Sequence, residues 1–229
     1  MALARVATRS PRTTSFLLKP GGGEDQAGTA SYLDATRFRV LNRSRMTRSR
    51  PDGPPEHTPL TIELACDGEE LRILVSAAGR SGNMMLLPAA RLGELQQTTP
   101  GFTLEQLDPL HFTASLMERF HATSFEIQEG GRVLLEGTIP DGTLADFGMG
   151  GTDVVDADAE VLIHLDQATS HVVRLQLLPK VLQDGALDLE LSGLESAPTG
   201  LSAYALALPP DAATMDLSAS LPEPSSLKD

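Results

Sequence analysis

Apolar and polar residues alternate in short runs along most of this chain, and turn residues separate the runs. The clearest runs lie in the C-terminal half. Ala159, Val161, Ile163 and Leu165 alternate with Glu160, His164 and Asp166. Val173, Leu175 and Leu177 alternate with Arg174 and Gln176, and Leu187, Leu189 and Leu191 with Asp188, Glu190 and Ser192. Successive side chains of a strand point to opposite faces, so a period of two collects the apolar set on one side. The pattern predicts antiparallel sheet with one face on a core and the other in water. Arg132–Ile139, bounded by Gly130-Gly131 and Pro140-Asp141-Gly142, predicts a further strand, and the Gly-rich stretch 143–153 a loop. Asp67-Gly68 between the runs Leu60–Cys66 and Leu71–Ser76 is a hairpin signal.

The N-terminal half is less regular. Ala2–Arg9 predicts the end of a short helix, and Thr13–Lys19 a strand stopped by Pro20-Gly21-Gly22-Gly23. Thr29–Met46 predicts one long extended segment, with Arg37, Arg39, Arg43 and Arg45 on one face and Phe38, Val40 and Met46 on the other. The stretch 48–59, with four prolines, predicts a loop. Met84–Leu87 predicts a short strand, Leu92–Gln97 a helical turn, and Leu201–Leu208 a last strand. One segment leaves the two-residue period. Leu110, Ala114, Met117 and His121 recur at 4-3-4 spacing, behind Asp108 as N-cap and Pro109 at the first helical position. This is an amphipathic helix that needs a surface to cover.

The fold class is therefore α+β, in a single domain over residues 1–210 with loops at 21–30 and 48–59. The Pro-, Ser- and Ala-rich composition of 211–229 predicts a disordered tail. Hydrophobic residues make up 41% of the 229, enough for a globular core, but aromatics only 4% with no Trp. Leu, Val, Ile and Ala must do most of the packing. The net charge of −13 argues against nucleic acid as a partner. The first 50 residues carry ten basic and three acidic residues, +7, which leaves −20 for the remainder. That polarity could orient the protein on an anionic membrane or simply be neutralised within the fold. No segment approaches the ~18 consecutive apolar residues of a membrane span. Met1–Pro11 lacks the apolar core of a signal peptide, so the protein is expected in the cytoplasm if this N-terminus is native, or exported if a leader has been removed. Cys66 is the single cysteine, so no intrachain disulfide forms, and its apolar run predicts a small buried hydrophobe.

Catalytic motifs are weak. Asp153, Asp156 and Asp158, close to Glu160, are candidate calcium ligands, but the run lacks the central Gly and terminal Glu of an EF-hand. His164 and His171 flank a hairpin and could approach across it, with no third metal ligand at an evident spacing. His111 and His121 lie on different faces of the helix, and His57 lies in the Pro-rich loop. Gly148-Met149-Gly150-Gly151 lacks the Lys-Ser/Thr of a phosphate loop, and no Gly-x-Ser-x-Gly elbow occurs. No catalytic residue and no cofactor is assigned.

The order of elements carries a resemblance. Thr36-Arg37-Phe38-Arg39-Val40, Cys66-Asp67-Gly68-Glu69-Glu70-Leu71, Asp108-Pro109-Leu110 with Leu116-Met117-Glu118-Arg119-Phe120, Val161–Leu178 with Gln167-Ala168-Thr169 at its turn, and Tyr204–Pro210 resemble, in that order, motifs of the bacterial lipoprotein-carrier (LolA-like) superfamily. The resemblance covers most of residues 30–211. It implies a strongly curved antiparallel sheet, an unclosed half-barrel, with helices on its concave side. It also implies a non-enzymatic protein of the periplasm or cell envelope that holds a lipid or lipoprotein acyl chain in a cavity between sheet and helices, at roughly 0.8 kcal/mol per buried CH₂. Phe38, Met84, Met85, Leu110, Met117 and Phe120 are then the candidate lining, and Arg37 and Arg39 candidates for holding a lid. The alternative is a sensor or assembly module of the envelope that binds a protein and has its cavity filled. An exposed apolar patch or an open sheet edge would favour it.

Overall fold

The computed structural model describes residues 11–19, 24–34, 36–50, 53–78, 80–98, 108–140, 143, 159–178 and 187–221. The helix end expected over 2–9 and nearly all of the loop expected over 143–153 lie outside the described residues. The alternating runs become strands of one sheet: β1 (Arg12–Lys19), β2 (Gln26–Asp34), β3 (Arg37–Arg50), β4 (Gly53–Asp67), β5 (Glu70–Ala77), β6 (Arg80–Pro88), β7 (His121–Gln128), β8 (Arg132–Ile139), β9 (Ala159–Asp166), β10 (Val172–Leu178), β11 (Leu187–Glu195) and β12 (Thr214–Asp216). Among the described residues, two α-helices stand between β6 and β7: α1 (Leu92–Thr98) and α2 (Pro109–Arg119). The strand order is β12-β6-β5-β4-β3-β2-β1-β11-β10-β9-β8-β7. Neighbours are antiparallel except β12, which runs parallel to β6. The sheet is curved and unclosed, with β12 at one edge and β7 at the other.

The apolar parity of most strands meets on the concave face. Phe16, Phe38, Val40, Leu64, Leu71, Ile73, Val161, Ile163, Leu175 and Leu189 form one core with the inner side of α2. Cys66 is buried there, as its apolar run predicts. A smaller cluster of Ala65, Leu74, Met84 and Leu206 covers part of the convex face. Residues 203–206 lie on that side. Arg39 Nη1 donates to the Ala203 carbonyl (3.4 Å) and Arg72 Nη1 to that of Leu206 (2.7 Å). Farther on, Leu217 and Leu221 pack with the main core, and Arg91 Nη1 donates to the Ser218 carbonyl at 3.2 Å.

Several elements differ from the sequence expectation. The long segment from Thr29 to Met46 is two strands. Asp34 folds the chain back, its carboxylate accepting from the Thr36 amide at 3.0 Å and from Arg37. The described part of the stretch expected as a loop over 48–59 is strand: 48–50 end β3 and 53–59 open β4. Pro54 and Pro55 fall at the register shift near the tip of the β3–β4 hairpin, and residues 53–59 have β3 on one side only, where a missing N–H costs no ladder bond. Likewise 26–30 belongs to β2 rather than to a loop. Leu201–Tyr204 is a 3₁₀ turn, not a strand, and the buried Tyr204 donates its hydroxyl to the Pro198 carbonyl at 2.7 Å. Within the stretch expected as a tail, Thr214–Asp216 pairs with the open edge of β6. Helix α2 ends at Arg119, so His121 opens β7 instead of closing the helix.

Gly137 makes that last change possible. A Cβ there would stand 2.1 Å from the His121 carbonyl and 2.6 Å from the Phe120 ring. Only glycine lets the chain leave α2 and lie directly against β8. Gly137→Ala should destabilise the fold by about 1–3 kcal/mol, as overpacking against backbone does. Urea unfolding checks this, and a stability unchanged within error would show that the crossing relaxes freely.

Candidate functional site

Helix α2 decides what the concave face can hold. Asp108, fully buried, caps its N-terminus by accepting from the Leu110 amide at 2.8 Å. Its second carboxylate oxygen lies 2.5 Å from His111 Nδ1. The His111 ring stands edge-on to Tyr32 on β2 (5.3 Å) and Phe38 on β3 (5.2 Å). The helix is thus held to the sheet at its first turn by a buried polar group and two rings. Leu110, Phe112, Leu116 and Met117 then face the sheet, each contributing roughly 1.5–3 kcal/mol of burial.

Of the candidate lining residues, Phe38, Leu110, Met117 and Phe120 come together in this core, with Met85 packed against it. Phe38 and Met117 are 0% exposed, Phe120 1% and Leu110 2%. A side chain bordering a void that admits water would keep accessible surface, so these four are closed on their neighbours. Met84 lies on the opposite face, under Leu206. Arg37 and Arg39 also point to the convex side, where Arg37 pairs with Asp34 and Arg39 with Glu63. They hold a turn and the C-terminal segment, not the helices. The calcium candidates Asp153, Asp156 and Asp158 lie outside the described residues. Among the described residues no three His, Cys, Asp or Glu side chains are grouped to hold a metal. His164 stands opposite Arg174 in the ladder, while the His171 carbonyl accepts from the Asp166 amide at 2.9 Å.

The feature that sequence reading missed is β7. Its Phe125 lies opposite Leu135 on β8, which lies opposite Ile163 on β9. Ile127, Val133 and Leu165 form a parallel row. Both rows begin in the core and end in the open: Ile163 is 0% exposed, Leu135 8% and Phe125 72%. Ile127 is 63% exposed. Among the described residues, the concave apolar face therefore runs out to an uncovered edge of the sheet. Ser124, Phe125, Glu126 and Ile127 do alternate in the sequence, so a period-two reading of residues 121–128 would have found the strand.

No family model matches this chain, and no curated protein matches it. Solved structures match it in outline. An uncharacterized conserved protein from Thermus thermophilus covers 94% of this chain and 95% of its own length, at 8% identity and a TM-score of 0.46. MucB in its complex with MucA, from Pseudomonas aeruginosa, covers 86% of this chain at 15% identity and a TM-score of 0.33, and this chain spans 56% of that one. A beta-barrel-like protein of the domain of unknown function DUF1849 from Brucella abortus covers 82% of this chain and 98% of its own, at 11% identity and a TM-score of 0.29. Likenesses this distant carry no argument about function.

The electrostatics of the concave end and its flank set a pH response. Burial, then the charges of Arg174 and Arg132, hold His164 below its ordinary value. Burial, then Arg12, does the same for His171 against the opposing Asp166. The unfolded chain therefore takes up protons first, so stability rises with pH across this interval. It is fully present above the ordinary histidine value of 6.5 and is lost as pH falls below it. Hydrogen bonds from Arg37 and Arg174 hold Asp34 and Asp188 below 3.8, which adds a second loss in stronger acid. Denaturant midpoints measured from about pH 8 down to about pH 3, a range that spans the ordinary histidine and carboxylate values, should fall in these two steps. His164→Gln with His171→Asn should flatten the first; an unchanged first step in the double variant would contradict the assignment.

Proposed function

We infer that the protein is a non-enzymatic binding module that takes up an extended segment of a partner protein along β7. The observation that supports this reading is the open edge itself. Among the described residues, β7 offers one unpaired row of backbone donors and acceptors, and beside it Phe125 and Ile127 stand exposed on the concave face. Soluble proteins blunt such edges with Lys, Pro or a covering element. The opposite edge of the sheet is covered, because β12 lies along β6, while β7 has neither Pro nor Lys. A partner strand would gain main-chain hydrogen bonds from β7, and its alternate apolar side chains would lie over Phe125 and Ile127. The envelope and LolA-like relationship belong to this reading as its setting, supported by the ordered motifs and the unclosed sheet.

An apolar ligand, a lipid or lipoprotein acyl chain, is the second reading. The apolar rows leading inward from Phe125 and Ile127 favour it. The four core residues expected to line its cavity are closed, so such a ligand would have to lie on the open part of the concave face or displace α2.

Selection of peptides of about eight residues, the length of a strand, from a display library tests the reading. Selected peptides should alternate apolar residues and should protect β7 amides from hydrogen exchange. Phe125→Asp with Ile127→Lys should abolish that binding while changing stability by no more than about 0.5 kcal/mol, as exposed substitutions do. Peptides that bind the double variant equally well would overturn the β7 site. Uptake of a fatty acyl probe that α2 must move to admit would favour the second reading instead.

A further inference from the structure

A recess lies at one end of the strands in the middle of the sheet, on the concave face, separate from the β7 edge. It has a volume of about 280 Å³, at the small end of ligand clefts, and is bounded by β1, the end of β11 and the β9–β10 turn. Its walls are apolar, with Val172, Leu191 and Leu194 among them. Arg12 and Thr14 also line it, on the same face of β1 as the core residue Phe16. Arg12 is only 2% exposed. Thr14 is 1% exposed and donates its hydroxyl to the Ser192 carbonyl at 2.8 Å, which fixes the β1–β11 wall.

A guanidinium is seldom buried, because desolvation disfavours its charge. Burial pulls Arg12 down to about 10, with Asp108 and Tyr32 opposing the shift, so it is a cation at neutral pH. Its planar fork carries five N–H donors, enough to serve protein neighbours and an incoming anion together. His171, the other titratable group facing inward here, lies near enough for Arg12 to lower its affinity for protons. Asp166, at the rim, is turned to its own loop, accepting from the Thr169 amide and hydroxyl at 2.8 Å each.

We propose that this recess binds a small monocarboxylic acid with a short alkyl chain, its carboxylate on Arg12 and its chain against Val172, Leu191 and Leu194. The apolar walls exclude a bare inorganic anion as the best fit, and the buried cation excludes a neutral hydrocarbon. The site is independent of the β7 edge, so either can fail alone.

Hexanoate is the probe, titrated into the ¹⁵N-labelled protein, with hexan-1-ol and hexylamine as controls of equal chain length. Hexanoate should shift the Thr14, His171 and Gly193 amides saturably and raise the protonation midpoint of His171, because a bound carboxylate offsets the charge of Arg12. Hexan-1-ol and hexylamine should bind roughly tenfold or more weakly, the usual worth of a charge-assisted hydrogen bond. Arg12→Gln should weaken hexanoate by a similar factor. Leu194→Trp, at a position 41% exposed, should fill the recess and block binding with Arg12 intact, which keeps the test valid if the Arg12 variant fails to fold. Equal binding of hexanoate and hexan-1-ol, unaltered binding by Leu194→Trp, or no saturable shift would each overturn the proposal.

Discussion

A wide curved sheet has one concave apolar face, and among the described residues only short helices cover it. The rest of the structure follows from that shortage. Helix α2 spends its inner side on the middle strands and is held there by Asp108, whose carboxylate serves the Leu110 amide and His111 at once. Because the cap is buried, the helix cannot slide along the face without exposing a carboxylate to apolar surroundings. The cover is therefore fixed in place and small, and the rest of the concave face is left to other contacts. In mid-sheet, where the ends of β1 and β11 meet the β9–β10 turn, the face leaves a recess with a buried arginine. Toward β7 it ends in Phe125 and Ile127 in water.

The two faces are finished by different chemistry. On the concave side, packing of Leu, Val and Phe suffices, as expected of a chain without Trp. On the convex side the arginines of β3 and β5 hold main-chain carbonyls of the C-terminal segment, and Tyr204 closes the turn beneath it. The basic N-terminal part and the acidic remainder meet in part through such pairs: Arg39 with Glu63, Lys19 with Glu190. Surface pairs of this kind add little stability each.

Much of this was legible in the chain. Strands β8 to β11 follow the alternation of Ala159, Val161, Ile163 and Leu165 and of its neighbours, because each has one dry and one wet face. Asp108 and Pro109 marked the start of α2. Its end was not legible, since His121 continues the helical spacing and only the close approach of Gly137 to the His121 carbonyl stops it. The prolines of 54–59 read as a loop because sequence cannot tell a two-sided strand from one paired on a single side. Candidate residues were chosen by type, and type does not give the face: Met84 and Met85 are adjacent, so one must point away from the other. Arg12 carried no motif at all. Its significance lies in burial, which depends on a strand that arrives from the far end of the chain.

That arrival has a consequence for how the protein is made. Most ladders join strands that are neighbours in sequence, but β1 pairs with β11, and Thr14 reaches Ser192 across 178 positions. Hairpins such as β3–β4 can close as soon as they are synthesised, whereas the β1–β11 seam must wait for nearly the whole chain and bears the largest loop-closure cost. Until then β1 shows its own open side to solvent. The slow step of folding should be the sealing of this seam, and the recess beside Arg12 comes into being only when that step is complete.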